Sequence, residues 1–266
     1  MLNYLILTTL AYITILWSFY FYRSIDLKLS SAKVSRKSFF ILIVLAVIWF
    51  ILSVLVYFYF PCLVTDIYLG LIFLIFLFIP LFFIFKKKLN GHRSSVLGFL
   101  IATIILLFQY FYPTVLLKNL IIAFGIGALV AIIYKTKWFK TGHYILISIL
   151  ASFYDYWLIV KTGLISAVEA SVASPFALIL EVGPRSLGAG DLTIIVIFGL
   201  IFYSLFGQSK SMLYSIFLAL PILVLGYFKV QGVLIGSLPY TLYLVPIFLV
   251  IYLLLRLGVI RKNIIN

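Results

Sequence analysis

Of the 266 residues only 6 are acidic, and two of these, Asp155 and Asp191, fall inside long apolar runs. A carboxylate within a membrane helix is costly and marks a functional site by default. Asp155 lies in Phe153-Tyr154-Asp155-Tyr156-Trp157. Asp191 closes Ser186-Leu187-Gly188-Ala189-Gly190-Asp191, which opens an apolar run ending near Phe206. Lys161 follows Asp155 by six residues and Arg185 precedes Asp191 by six. At a helical rise of 1.5 Å, each carboxylate lies roughly 9 Å below the same surface, provided that the chain is helical along both stretches. Two carboxylates a few ångströms apart in low dielectric cannot both ionise easily, so the pair holds a single proton. The ionised member can take a proton from water while the protonated member polarises a peptide carbonyl, the division of labour of an aspartic protease. Water at membrane depth requires a protein-lined cavity.

The remaining acidic residues carry no expected role. Asp26 sits in a basic loop, Asp66 near a helix end, and Glu169 and Glu181 in the connection between the two motifs; all four read as solvated or interfacial. Gly188 and Gly190 lack side chains, so a substrate backbone can approach Asp191 and the helix start can bend. Taken alone, they read as a helix cap. Pro239 begins Pro239-Tyr240-Thr241-Leu242 in the last apolar run, where a proline frees backbone groups for a neighbour or a substrate. Taken alone, it is an ordinary kink.

These residues need helices to hold them. The chain is 66% hydrophobic and 10% charged, far more apolar than a soluble domain. The expected class is an all-α, polytopic membrane protein with about nine spans of roughly 20 residues. We place them at 2–22, 39–60, 64–85, 96–114, 119–134, 143–160, 187–206, 211–228 and 233–255. The first is read as a retained span rather than a signal peptide. The whole chain, 1–266, forms one transmembrane domain: 1–142 as a helical scaffold, about 143–255 bearing the motifs. No internal repeat is evident, which argues against a transporter built from inverted halves. Ala123, Gly127 and Ala131 make a small-residue stripe for close helix packing.

The net charge of +14 belongs to the loops and reads as a topology determinant, not as a nucleic-acid footprint. Of the 20 Lys and Arg residues, all but Lys118, Lys161, Arg185 and Lys229 fall on one side of the expected spans. The positive-inside rule then puts the N-terminus outside and the C-terminus in the cytoplasm. A single cysteine, Cys62, excludes an internal disulfide.

Tyr154-Asp155 in one span, Gly188-Ala189-Gly190-Asp191 opening the next, and a proline motif in the last span together resemble the presenilin and signal peptide peptidase family of intramembrane aspartyl proteases. The chain departs from the family's Pro-Ala-Leu at Pro239-Tyr240-Thr241. The resemblance implies a nine-span fold and hydrolysis of peptide bonds within the bilayer by an Asp155/Asp191 dyad and one water, with no cofactor or metal. Tyr154, Gly188, Gly190, Pro239, Tyr240, Thr241 and Leu242 would shape the site or contact substrate. The segment 162–186 would help admit substrate, and a cleaved helix would unwind and pair as a strand. Implied substrates are transmembrane proteins or remnant signal peptides with cytoplasmic N-termini. The form would be compact and prokaryotic in type, resident in the cell membrane, without an obligatory accessory subunit and possible as an oligomer.

Two other readings compete. A prepilin or preflagellin peptidase also uses a GxGD motif but cuts at the cytoplasmic surface, whereas both aspartates here lie towards the outer face. An ion channel or transporter could be lined by the same carboxylates, although the spans offer few other polar groups. Neither His92 nor His143 lies deep in a span, and no HExxH motif occurs.

Overall fold

The computed structural model describes residues 1–25, 62–137, 139–156, 174–231 and 240–265. Among these, the chain is mostly helical: α1 (Leu2–Ser24), α2 (Cys62–Lys86), α3 (Gly91–Phe111), α4 (Val115–Lys135), α5 (Thr141–Tyr156), α6 (Ala189–Val230) and α7 (Thr241–Ile265). Five of them, α1 to α4 and α6, are long and apolar enough to cross a bilayer, so this is a multi-pass membrane protein. The expected span 39–60 lies outside the described residues.

α1 is the axis of the bundle. Tyr4, Leu7, Ala11, Ile15 and Phe19 recur at helical spacing, and all are buried. Lipid is as apolar as leucine, so helix pairs are held by close approach and hydrogen bonds rather than by excluding water. Glycines supply that approach. A Cβ on Gly127 of α4 would stand 2.8 Å from Trp17 Cδ1, and one on Gly199 of α6 would stand 2.7 Å from Ile15 Cγ2. The Trp17 indole N–H donates to the Phe124 carbonyl across the same contact at 3.0 Å. Ala123 and Ala131 are buried beside Gly127, as expected of a packing stripe.

The expected spans 187–206 and 211–228 appear as one helical run, α6, divided at Gly207. There φ is 75° and ψ 177°, a conformation open to glycine and strained for any residue with a Cβ. The chain reverses at this point. Arg185, just before α6, lies over the Tyr4 ring at 5.3 Å, and Gly226 near its far end abuts the same ring. Tyr214 of the returning arm meets Phe206 of the first arm, with ring centroids 5.2 Å apart.

The connection ahead of the expected span 187–206 contains regular structure, and the first two residues of that span belong to a strand. Here β1 (Ile179–Val182) and β2 (Arg185–Gly188) form an antiparallel hairpin, Leu180 opposite Leu187 and Glu181 opposite Ser186. Gly183-Pro184 stops any helix, and Gly183 takes the turn's positive φ of 57°. Leu180 and Leu187 are both buried, which fixes the register by the alternation of apolar and polar positions.

The two ends of the bundle differ. At one end, Arg23 Nη1 donates to Gln208 Oε1 at 3.0 Å, and Lys135 Nζ donates to the carbonyls of Tyr22 and Ile25. These basic residues belong to loops that the charge bias put on one side. The hairpin, Tyr4, Arg185 and the start of α6 lie at the opposite end.

Candidate active site

β2 runs directly into α6. Gly188 is the N-cap, with φ −63° and ψ 148°, and Asp191 is the third helical residue. The Asp191 carboxylate turns back on its own helix start, where Oδ2 accepts from the Gly188 N–H at 3.3 Å. Acceptance by an N3 carboxylate satisfies a donor that a helix start otherwise leaves orphaned. The expected depth of Asp191 assumed a helical path from Arg185. That path begins as a strand, which rises about 3.3 Å per residue, so the helical rise does not apply to residues 185–188.

A second helix start meets the same carboxylate. The Thr241 N–H donates to Asp191 Oδ1 at 2.8 Å. Thr241 is the first residue of α7, and the Tyr240 carbonyl accepts from Leu244 N at 2.8 Å and Tyr243 N at 3.0 Å, so Tyr240 caps that helix. Of the expected span 233–255, the described part is helical from Thr241; residues 233–239 lie outside the described residues. Asp191 is only 9% exposed, and orphan N–H groups from two helix starts converge on it. That is a favourable setting for an anion.

α5 joins the same point. Ser152 is buried, and its Oγ lies 3.1 Å from the Thr241 carbonyl oxygen and 3.0 Å from that of Ser148, positioned to donate to either. Asp155 follows Ser152 by three residues within α5. It thus sits on the neighbouring helical position of the same face, about 4.5 Å farther along the axis. The side chains of Tyr154 and Asp155, and all of Pro239, lie outside the described residues. Of the segment 162–186, the part from residue 174 onward is described and contains β1 and the start of β2.

The glycines divide their tasks. A Cβ on Gly188 would stand 3.1 Å from Asp191 Oδ2, whereas one on Gly190 would meet nothing within 4 Å. Gly188 leaves room for the carboxylate; Gly190 is exposed and keeps the surface beside it open. Tyr240 is half-buried, with Tyr4, Asp191 and Arg185 within electrostatic reach. The Tyr240 ring thus stands beside α1. Leu242 is half-buried at the start of α7, and Thr241 is fully buried.

Other residues acquire partners that the sequence alone did not give them. Glu181, expected to be solvated or interfacial, pairs with Lys118 Nζ at 2.7 Å, with side chains 19% and 6% exposed. The Asn119 side chain grips the Glu181 backbone, donating from Nδ2 to its carbonyl at 2.6 Å and accepting from its N–H at 2.9 Å. Asp66 accepts from Ser174 Oγ at 2.5 Å. Lys118-Asn119 near the start of an apolar run was the available signal, since buried polar groups need partners. Ser152 had no comparable signal, because serine is ordinary in a membrane helix.

In comparisons with known proteins, no family model and no curated sequence matches this chain.

Proposed function

We propose that this protein is an intramembrane aspartic endopeptidase that hydrolyses peptide bonds within transmembrane segments, using Asp155 and Asp191 around one water. The observation carrying this reading is the meeting of three motif-bearing helices at one residue. Thr241 donates to Asp191, and its carbonyl lies within reach of Ser152, one turn from Asp155. In the reaction, the ionised carboxylate takes a proton from water as the oxygen attacks the peptide carbon. The protonated carboxyl donates to the carbonyl oxygen, and the resulting tetrahedral carbon expels the amine as a proton passes to its nitrogen. The hairpin favours the same reading, because an unwound substrate segment can add to a strand that leads straight to Gly188 and Asp191.

The likeness of the Tyr-Asp, Gly-x-Gly-Asp and proline motifs to the presenilin and signal peptide peptidase family extends the proposal. On it, the chain has nine spans, its N-terminus outside and its C-terminus in the cytoplasm of a cell membrane. Its substrates are transmembrane proteins or remnant signal peptides with cytoplasmic N-termini. The test is incubation of purified protein with a synthetic transmembrane peptide. Defined fragments from wild type, and none from Asp155→Ala or Asp191→Ala, are expected. Intact peptide with the wild type across a panel of helices, or full activity in either variant, overturns the proposal.

A further inference from the structure

We infer that Asn119 is a positioning residue that closes one edge of the hairpin, so that an extended peptide can join only the β2 edge, the one leading to Asp191. This rests on the protease reading. In an antiparallel pair, opposed residues alternate between exchanging both main-chain hydrogen bonds and pointing them away from each other. The Asn119 amide takes both the N–H and the carbonyl of Glu181. These groups therefore face away from β2, and Glu181 and Ser186 form a pair without mutual bonds. It follows that the Ser186 N–H and carbonyl face outward on the opposite edge. Ser186 is exposed, and among the described residues its main chain bonds to nothing else.

An unpaired strand edge recruits any extended chain, and proteins cover the edges they do not use. Here the cover is a side-chain amide imitating a third strand, backed by the Lys118–Glu181 ion pair from the adjacent position. It does two things. It removes β1 as a competing template, and it ties the hairpin to α4, so that β2 keeps a fixed position relative to Asp191.

The test reads cleavage positions by mass spectrometry for wild type, Asn119→Ala and Asn119→Asp, together with backbone amide exchange. Asn119→Asp keeps the acceptor for the Glu181 N–H and loses the donor. With the clamp lost, KM rises about fivefold with kcat little changed, and products spread over neighbouring peptide bonds; the Asp variant lies between. A wild-type product pattern and KM from either folded variant overturns the inference. In wild type the Glu181 amide is protected and the Ser186 amide exchanges freely. Bound peptide on Asp191→Asn protects Ser186 and leaves Glu181 unchanged. The reverse pattern overturns the inference even if neither Asn119 variant folds. Absence of all products from wild type instead counts against the protease reading, and exchange at Glu181 and Ser186 in the free protein still decides which edge is closed.

Discussion

The main-chain N–H of Thr241, first residue of α7, donates to Asp191 Oδ1 at 2.8 Å. It is a bond from one helix start to a carboxylate at another, and the donor is backbone, so the identity of residue 241 matters less than its having an N–H. Thr241→Pro removes that donor at a position where proline suits a helix. A hydrogen bond to a charged group contributes about 1.5–3 kcal/mol. We expect the variant to fold and to lose cleavage activity roughly tenfold to a hundredfold. Thr241→Ser, which keeps the N–H, retains near-wild-type activity. Equal activity in the proline variant would remove this bond from the mechanism.

The two glycines separate by what an added methyl would meet. Gly188→Ala pushes on Asp191 Oδ2 and lowers kcat. Gly190→Ala adds a methyl to open space beside the site, so the fold and melting temperature stay the same while KM for peptide rises. Steady-state kinetics on both variants check this, and a reversed pattern contradicts the assignment.

Tyr240 distinguishes a packing role from a substrate role. Tyr240→Ala removes a bulky ring beside Tyr4 and leaves a cavity. Destabilisation of about 3 kcal/mol is expected in detergent unfolding, and Tyr240→Phe should lose far less. A Tyr240→Ala protein as stable as wild type would show that the bulk is not structural.

Single residues stood out in the sequence more clearly than the scaffold that holds them. Asp191, its glycines and Pro239-Tyr240-Thr241 could be singled out because polar or helix-breaking residues stand out in a chain that is 66% hydrophobic; of these, the structure brings Thr241 to Asp191, and Pro239 lies outside the described residues. The helices around them were legible from length and apolarity, to within a few residues at α1, α2 and α4. The hairpin was not: Leu178 to Leu187 looks like more apolar connection, and only the strand register reveals that Leu180 and Leu187 are paired. Nor was the role of Asn119, since a side chain bonding the backbone of residue 181 depends on a contact 62 residues distant in the chain. The reversal at Gly207 was placed by the gap between two apolar runs, while its glycine geometry was not.

Topology is an independent check on the charge argument. Reporter fusions after Arg256 should report a cytoplasmic C-terminus and fusions ahead of Leu2 an external N-terminus. The opposite result would reverse the substrate orientation and bring the surface-cutting GxGD peptidases forward as the better comparison.

A pair that works with one proton between two carboxylates loses activity when that proton is gone. The singly protonated form disappears as pH rises, so the cleavage rate should fall on the alkaline side. A profile that stays flat well into the alkaline range would contradict a shared proton.

Near-isosteric changes at the two aspartates spare the packing and test the dyad itself. Purified wild type, Asp155→Asn and Asp191→Asn are each incubated with a transmembrane peptide and the products weighed. Defined fragments from wild type, with cleavage abolished in each variant while both remain folded, is the predicted result. Sustained cleavage by either variant would contradict the two-aspartate mechanism.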